Sequence, residues 1–156
     1  METVHEKLQI FVRRFGLLNA ASCDDCCGEQ VSMVQSHILF EVRRLKNPSM
    51  QQVADVLRMD VTTFSRQVKT LVAKGMVFRR VSNDDRRVSL LTLTEVGAEV
   101  LLRIDRYMAA NIDRIFSSMT HFEKETVVRS LGLLNDALVE SGCCGVSHGN
   151  NIASCN

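Results

Sequence analysis

The sequence has 156 residues, of which 46% are hydrophobic and 24% charged, and its formal net charge is +1. This length fits one domain with extended helical arms, and the hydrophobic content suffices for a core and a buried partner surface. No apolar run approaches the ~18 residues of a membrane-spanning helix, and the charged N-terminus lacks the apolar segment of a signal peptide. We therefore expect a cytoplasmic protein with no membrane partner.

Positive charge is concentrated in one part of the sequence. Between Glu41 and Arg87 there are eleven Lys or Arg and five Asp or Glu, a net charge of +6, which leaves −5 for the remainder. Such a concentration is expected where a protein contacts nucleic-acid phosphates. A solvated basic face would have the same composition, so charge by itself leaves both interpretations open.

Two amphipathic helices are predicted first. Apolar residues spaced three or four apart predict a helix from Val4 to Leu18, and Ala20 to Gly28 is typical of a loop. Ser32 and Gln35 have the spacing of a capping box, which begins a second helix, and Asn47-Pro48 ends it. The predicted buried positions of this helix are Val34, Ile38, Leu39, Val42 and Leu45.

Two shorter helices follow, in the layout of a helix-turn-helix. Ser49 and Gln52 repeat the capping-box spacing, and Asp60 is placed to cap a fourth helix, from about Val61 to Lys74, which Gly75 terminates. The predicted buried positions are Val53, Val56 and Leu57 in the third helix, and Val61, Phe64, Val68, Leu71 and Val72 in the fourth.

The next segment predicts a β-hairpin and two further helices. Met76 to Val81 and Val88 to Leu93 contain β-branched residues and flank a turn-forming tip. Thr94 is expected to cap a long fifth helix, and Thr120 with Glu123 to cap a sixth. The predicted buried positions are Val100, Leu101, Ile104, Met108, Ile112 and Ile115 in the fifth helix, and Val127, Leu131, Leu134 and Leu138 in the sixth.

The fold class predicted from this order is mainly α with a small β-hairpin, arranged as a winged helix-turn-helix. Residues 31–94 would form the DNA-binding module. Residues 1–30 and 95–142 would form a helical dimerisation region, because the terminal helices carry more apolar surface than one small module can cover. Residues 143–156 would form a cysteine-containing tail.

The fourth helix has the features of a DNA-recognition helix. Short hydroxyl side chains at its start allow close approach to DNA, and the helix N-terminus favours phosphate. Arg66 can bond bidentately to guanine, Thr63 can contact a thymine methyl group, and Lys69 is expected on phosphate. The predicted contacts of this helix are Thr62, Thr63, Ser65, Arg66 and Lys69.

The tip of the hairpin supplies a second predicted DNA contact. Arg86 and Arg87 could enter the flanking minor groove, where a narrow A·T tract concentrates negative potential. Asp85 is expected to pair with an arginine and hold the shape of the tip. Each of these residues could alternatively be an ordinary exposed side chain, and their joint pattern is the stronger argument.

The hairpin also carries a specific pattern: Asp-x-Arg, then Leu-Thr, then Gly, at Asp85, Arg87, Leu93, Thr94 and Gly97. With this pattern, the segment from Val31 to Gly97 resembles the winged-helix core of the MarR family of bacterial transcription regulators. The helix order extends the resemblance to the range from about Val4 to Ser141. Further matching stretches are Val31–Gln35, Ala54–Leu57, Thr62–Lys69 and Leu71–Val77, and Ser82 departs from the family, where many members carry an acid.

The resemblance implies a homodimeric regulator, commonly a repressor, that binds double-stranded DNA at a pseudo-palindromic operator. Its first, fifth and sixth helices would form the dimer domain, and two recognition helices ~34 Å apart would read successive major-groove faces. An enzyme is not expected, because the sequence has no Gly-rich phosphate loop and no nucleophile with a recognisable His partner.

The six cysteines fall into two clusters, one in the predicted loop after the first helix and one after the last helix. If these helices lie together, the clusters could bind a thiophilic metal ion, a metalloid or an iron–sulfur cluster. We expect such ligation to change operator affinity. The predicted ligands are Cys23, Cys26, Cys27, Cys143 and Cys144, with Cys155 as a further candidate.

Other interpretations of the cysteines stay open. Oxidation to disulfides between the clusters could switch the same regulator fold, or the thiols could have no regulatory role. In an interpretation of another class, the chain would be a thiol redox protein or metal buffer without DNA binding. That interpretation predicts activity independent of Arg66 and Arg87.

Overall fold

The computed structural model describes residues 3–15 and 31–141, which form six helices and two strands. The mainly α fold with one β-hairpin is therefore confirmed. The elements in chain order are α1 (Val4–Arg14), α2 (Met33–Leu45), α3 (Met50–Val56), α4 (Val61–Ala73), β1 (Val77–Val81), β2 (Ser89–Leu93), α5 (Glu95–Phe116) and α6 (His121–Ser141).

Side-chain caps begin the helices where the sequence predicted them. The Ser32 hydroxyl accepts the Gln35 N–H at 3.2 Å, and the Gln35 side chain accepts the Ser32 N–H in return. Such reciprocal bonds satisfy backbone donors that a helix start leaves unpaired. The same reciprocal cap is present at Ser49 and Thr120, whereas Asp60 and Thr94 each cap with a single bond, accepting the N–H three residues on.

The ends of α2 and α4 also follow from local chemistry. Lys46 and Asn47 take left-handed conformations, with φ of 53° and 61°, directly before Pro48. Proline disfavours the right-handed helical conformation in the residue before it, so α2 stops there. Gly75 has φ of 69° after α4, a conformation that glycine adopts without the steric cost of a Cβ.

The core lies where α2, α3, α4, the hairpin and the first turns of α5 meet. Phe64 is fully buried at its centre, and Leu91 of β2 packs into the same cluster. The buried apolar residues are Val31, Ile38, Leu39, Val42, Val53, Ala54, Phe64, Val68, Leu71, Met76, Val77, Leu91, Val100 and Leu101.

Four positions predicted to be buried in the winged module are exposed: Val34, Val56, Val61 and Val72. In α4, Phe64, Val68 and Leu71 fill the narrow strip that faces the core, so apolar residues at its margins remain in solvent. Spacing identifies the inward face of a helix but not its width.

The terminal helices expose most of their apolar residues. Neither α1 nor α6 has a buried residue, and α5 buries side chains only in its first turns. The prediction that these positions are buried is wrong for the single chain, because its described elements do not enclose the distal half of α5 or any of α6. The predicted positions found exposed are Met108, Ile112, Ile115, Leu131, Leu134 and Leu138. None of the described helices is long and apolar enough to span a membrane.

Candidate nucleic-acid interface

The outward face of α4 carries most of the predicted DNA contacts. Burial of Phe64, Val68 and Leu71 fixes the inward face of the helix. Side chains on the opposite side therefore point to solvent, as the 3.6-residue period requires. The exposed predicted residues are Thr62, Thr63, Arg66 and Lys69, whereas Ser65 is half-buried at the edge of this face.

Thr70 belongs to the same face and was not among the predicted contacts. It is exposed, and its hydroxyl donates to the Arg66 carbonyl oxygen at 3.1 Å. A residue four positions after another lies one turn along the same helix face. The spacing from Arg66 to Thr70 could therefore have identified it from the sequence.

Asp60 holds the N-terminus of α4. Its carboxylate accepts the Thr63 N–H at 2.8 Å. The hydrogen bonds from Thr63, backbone first, lower the pKa of Asp60 below its ordinary value. The carboxylate is thus ionised at neutral pH and occupies the helix end where a negative charge is favoured.

The hairpin presents two exposed arginines at its tip. β1 and β2 pair antiparallel from Val77 opposite Leu93 to Val81 opposite Ser89, which leaves a tip that contains Arg86 and Arg87. Backbone bonds at the tip, such as Ser82 N–H to Val88 O at 2.8 Å, keep the turn closed.

Asp85 braces this tip through the backbone. Its carboxylate accepts the Arg87 N–H at 2.9 Å, and its carbonyl oxygen accepts the Val88 N–H at 2.9 Å. The expected pairing with an arginine side chain does not occur among residues 31–141. The reason is local: a carboxylate two residues before an N–H closes an Asx-type turn, which leaves both guanidinium groups in solvent.

The base of the hairpin is joined to the linker between α2 and α3. The Leu91 N–H donates to the Pro48 carbonyl oxygen at 2.8 Å, and Ser49 forms an isolated bridge with Leu90. The Thr92 hydroxyl also bonds to Asn47 Oδ1 at 2.7 Å. These bonds fix the wing relative to the helix-turn-helix.

A second joint connects the winged module to α5. The Thr94 hydroxyl lies 2.7 Å from the Gly75 carbonyl oxygen and 3.0 Å from that of Met76, and it accepts the Gly97 N–H. A Cβ on Gly97 would collide with the Met76 carbonyl group. Glycine is therefore required for α5 to begin this close to the end of α4.

The Lys and Arg side chains between Glu41 and Arg87 differ in whether an ion pair within the protein already occupies them. Arg43 pairs with Asp105 at 2.7 Å and Arg44 with Glu41 at 2.7 Å, so both act within the fold. Within the described ranges, no ion pair occupies the four predicted DNA-contacting cations, Arg66, Lys69, Arg86 and Arg87. Free guanidinium and ammonium groups are what phosphate contacts need.

The predicted cysteine ligands lie outside the described residues. The first cluster falls in residues 16–30 and the second in residues 142–156. In the part of the chain that the structure describes, no group of three or more His, Cys, Asp or Glu could hold a metal ion. Ligation by Cys23, Cys26, Cys27, Cys143, Cys144 and Cys155 therefore stays a prediction.

Sequence comparison finds similarity to transcriptional regulators, in agreement with the winged helix-turn-helix fold. The sequence model described as "MarR family" matches residues 29–88. The HTH-type transcriptional regulator YxaD of Bacillus subtilis is 24% identical over 140 residues, which cover 90% of this chain and 96% of that protein.

Two solved structures share the fold. Streptococcus pneumoniae FabT in complex with DNA is 21% identical, with a TM-score of 0.76 over 88% of this chain and 96% of that one. A crystal structure of MarR is 19% identical, with a TM-score of 0.75 over 90% and 93% of the two chains. The match to the family model over residues 29–88, the similarity to YxaD and the shared winged helix-turn-helix fold together make the chain similar to the MarR family of winged helix-turn-helix transcriptional regulators.

Proposed function

We propose that the chain acts as a homodimer that binds a pseudo-palindromic operator in double-stranded DNA and represses transcription. MarR family proteins are DNA-binding regulators rather than enzymes. The observation that carries the proposal is the outward face of α4, where Arg66, Lys69 and three threonines are exposed and uncovered by the fold. FabT, which shares the fold, has been solved in complex with DNA.

The chemistry of the α4 face suits the major groove. Arg66 can donate two hydrogen bonds to the O6 and N7 atoms of guanine, and a threonine methyl group can pack on the thymine methyl. Lys69 lies about two turns from Thr62, the start of this face, and can reach a phosphate. Contacts with the bases select the DNA sequence, whereas the contact of Lys69 with a phosphate supplies affinity that depends on salt.

The wing suits the adjacent minor groove. Arg86 and Arg87 sit at the tip of a hairpin whose base is bonded to Asn47 and Pro48. A fixed base limits the positions that the tip can adopt relative to α4. A guanidinium group inserted in a narrow A·T minor groove would then add affinity at a defined distance from the site that α4 reads.

Homodimer formation is supported by the exposed apolar residues of the terminal helices. On α6, Leu131, Leu134 and Leu138 are 48%, 46% and 39% exposed and lie on one face. Phe11 of α1 and Phe15, the residue directly after this helix, are also exposed, and their ring centres lie 5.3 Å apart. Contiguous apolar surface of this kind marks an association site, and a second copy would bring two α4 helices to one duplex.

The proposed signal is ligation of a thiophilic metal ion, a metalloid or an iron–sulfur cluster by the cysteine clusters. Support comes from their positions in the sequence: Cys23, Cys26 and Cys27 lie between α1 and α2, and Cys143 follows the end of α6 by two residues. A ligand held by both clusters would link α2 to the dimer helices. Thiol oxidation to disulfides is the second candidate signal, because the same thiolates would react.

DNA binding is tested with a pool of duplexes that have a randomised centre. The wild-type protein should enrich one pseudo-palindromic sequence, and its affinity should fall steeply as salt rises. Arg66→Ala and Arg87→Ala should each weaken binding to the enriched duplex. Arg129→Ala, at an exposed position of α6 away from the apolar face, serves as the control and should bind as the wild type does. Failure to enrich any duplex would contradict the proposal.

The signal is tested by purifying the protein without oxygen and measuring its metal and labile-sulfide content. Thiophilic metals and an oxidant are then added separately to the reduced protein bound to the enriched duplex. The Cys23→Ser/Cys143→Ser double variant should lose the response and keep DNA binding. No change in DNA affinity with any metal or with oxidant would contradict both candidate signals.

A further inference from the structure

The amide of Gln35 joins two helices. In α2 it completes the capping box, with its Oε1 atom accepting the Ser32 N–H at 3.3 Å. Its Nε2 atom donates to the Oε1 atom of Gln67 in α4 at 3.0 Å. Gln35 is 7% exposed and the bond is partly buried, so competing water reaches this link between α2 and the recognition helix only in part.

The capping box fixes which group of Gln35 faces α4. An amide has one oxygen and one NH2 group, on opposite sides of its carbon. Because the oxygen is held by the Ser32 N–H, the NH2 group must point toward Gln67. The donor is therefore presented to α4 in one orientation, and Gln67 must turn its oxygen toward it.

Gln67 has a distinct position on α4. It follows Arg66 directly, so its side chain lies ~100° around the helix from the arginine. It is half-buried, and its bond to Gln35 holds its amide oxygen toward α2 and away from the exposed face. Rotation of α4 about its axis would break this bond and would move Arg66 by the same angle.

Apolar packing alone leaves this rotation less well defined. Phe64 and Val68 bury the inward strip of α4 against residues such as Ile38, but hydrophobic contact is non-directional. A hydrogen bond depends steeply on angle and distance. The Gln35–Gln67 bond therefore adds the directional constraint that the core lacks.

We propose that Gln35 is a positioning residue for DNA recognition: through Gln67 it sets the rotation of α4, and thereby the place where Arg66 meets the base pairs. The inference rests on the proposed DNA-binding function. It deepens that function by assigning part of the sequence discrimination to the Gln35–Gln67 hydrogen bond, which lies within the protein and does not contact DNA.

The test compares discrimination between two duplexes, the one enriched by the wild type and a scrambled duplex of the same composition. Gln67→Leu removes the acceptor and leaves the capping box in place. Its ratio of affinities should fall by about threefold to tenfold, the range expected for one hydrogen bond. Gln67→Glu keeps an acceptor for Gln35; its charge weakens binding to both duplexes, and the ratio should stay near the wild-type value.

Ser32→Ala is the matched control. It removes the hydroxyl that accepts the Gln35 N–H, which lowers stability, but it leaves both side-chain bonds of Gln35. Its ratio should equal that of the wild type. The double variant Gln35→Leu/Gln67→Leu should discriminate no worse than Gln35→Leu, because both changes remove the same bond. Urea unfolding shows that each variant is folded under the binding conditions.

Crystal structures of the DNA-free wild type and Gln67→Leu proteins provide a readout that does not need DNA. After superposition on α2, α4 should be rotated in the variant. An unrotated α4 together with an unchanged ratio of affinities would overturn the inference. If the wild type enriches no duplex, the proposed function fails, and the two crystal structures alone decide whether Gln35 positions α4.

Discussion

At the scale of single residues, close backbone approach and local hydrogen bonds set the geometry. Gly97 lets α5 start against the Met76 carbonyl group, and Thr94 bonds to the carbonyl oxygens of Gly75 and Met76. These contacts join the end of α4, the base of the hairpin and α5. A change of one atom at this joint should therefore affect the whole winged module.

Gly97→Ala should destabilise the protein by ~1–3 kcal/mol, the usual cost of forcing an extra group into a packed site. Urea unfolding at a fixed protein concentration measures this change in the free energy of unfolding. The control is Gly132→Ala in α6, where an added Cβ would meet no atom within 4 Å. That change should be neutral or stabilising, because alanine favours helix over glycine. Equal destabilisation by both would contradict the proposed joint.

Asp60 should make stability depend on pH in the acid range. Its hydrogen bonds with Thr63 lower its pKa in the folded state. Its stabilising effect is therefore present above the pKa of the unfolded chain and is lost as the pH falls through the lower, folded value.

Asp60→Asn is the variant that tests this dependence, because it keeps a capping oxygen and removes the charge. Thermal unfolding from neutral to acid pH should show the wild type more stable at neutral pH. The difference should shrink as the pH falls through the folded pKa of Asp60. A difference that is constant over this range would show that the ionised form is not what stabilises α4.

At the scale of elements, one face of α4 carries both of the proposed kinds of DNA contact, one for sequence specificity and one for affinity. α4 is capped by Asp60, held to α2 by the core and by Gln67, and exposed along the side that carries Arg66 and Lys69. The two cations have different expected roles, because Arg66 matches a base edge and Lys69 a phosphate.

Arg66→Ala should cost ~1–3 kcal/mol of binding free energy and relax preference at one base pair in each half-site. Lys69→Ala should weaken binding similarly for all duplexes and reduce the slope of affinity against salt by about one phosphate contact per protomer. Fluorescence anisotropy over a salt series, with duplexes changed at single positions, separates the two effects. Identical patterns for both variants would contradict the division of roles.

At the scale of the whole molecule, the terminal helices carry an exposed apolar face, and the winged module carries the exposed cations that are proposed to contact DNA. The Arg43–Asp105 ion pair, at 2.7 Å, and the Thr94 joint connect α2 and the hairpin to α5. Arg43 also lies 5.6 Å from the centre of the Phe40 ring. A change in the terminal helices can thus reach α4 through contacts within one chain.

Leu134→Glu should convert the proposed dimer to monomers and abolish tight operator binding, because a charge would have to be buried in an apolar interface. Sedimentation velocity gives the oligomeric state, and anisotropy gives the DNA affinity. Arg129→Glu, on the opposite side of α6, is the control and should stay dimeric. A dimeric Leu134→Glu protein would show that this face of α6 does not form the interface.

Local chemistry made much of the fold predictable. The caps at Ser32, Ser49, Asp60, Thr94 and Thr120 depend on residues within one turn of each other, so the sequence alone located the helix starts. The glycine after α4 and the turn-forming tip of the hairpin were equally local, and the positive charge between Glu41 and Arg87 can be counted directly from the sequence.

Burial and cross-element bonds were decided only by the tertiary structure. Val61 and Val72 are exposed although their spacing fits the buried face of α4, and the Asp85 carboxylate bonds to a backbone N–H rather than to an arginine side chain. The bond from Gln35 to Gln67 spans 32 positions, so no local pattern indicates it. Helix starts depend on neighbours in sequence, whereas burial and these bonds depend on neighbours in space that only the packed fold brings together.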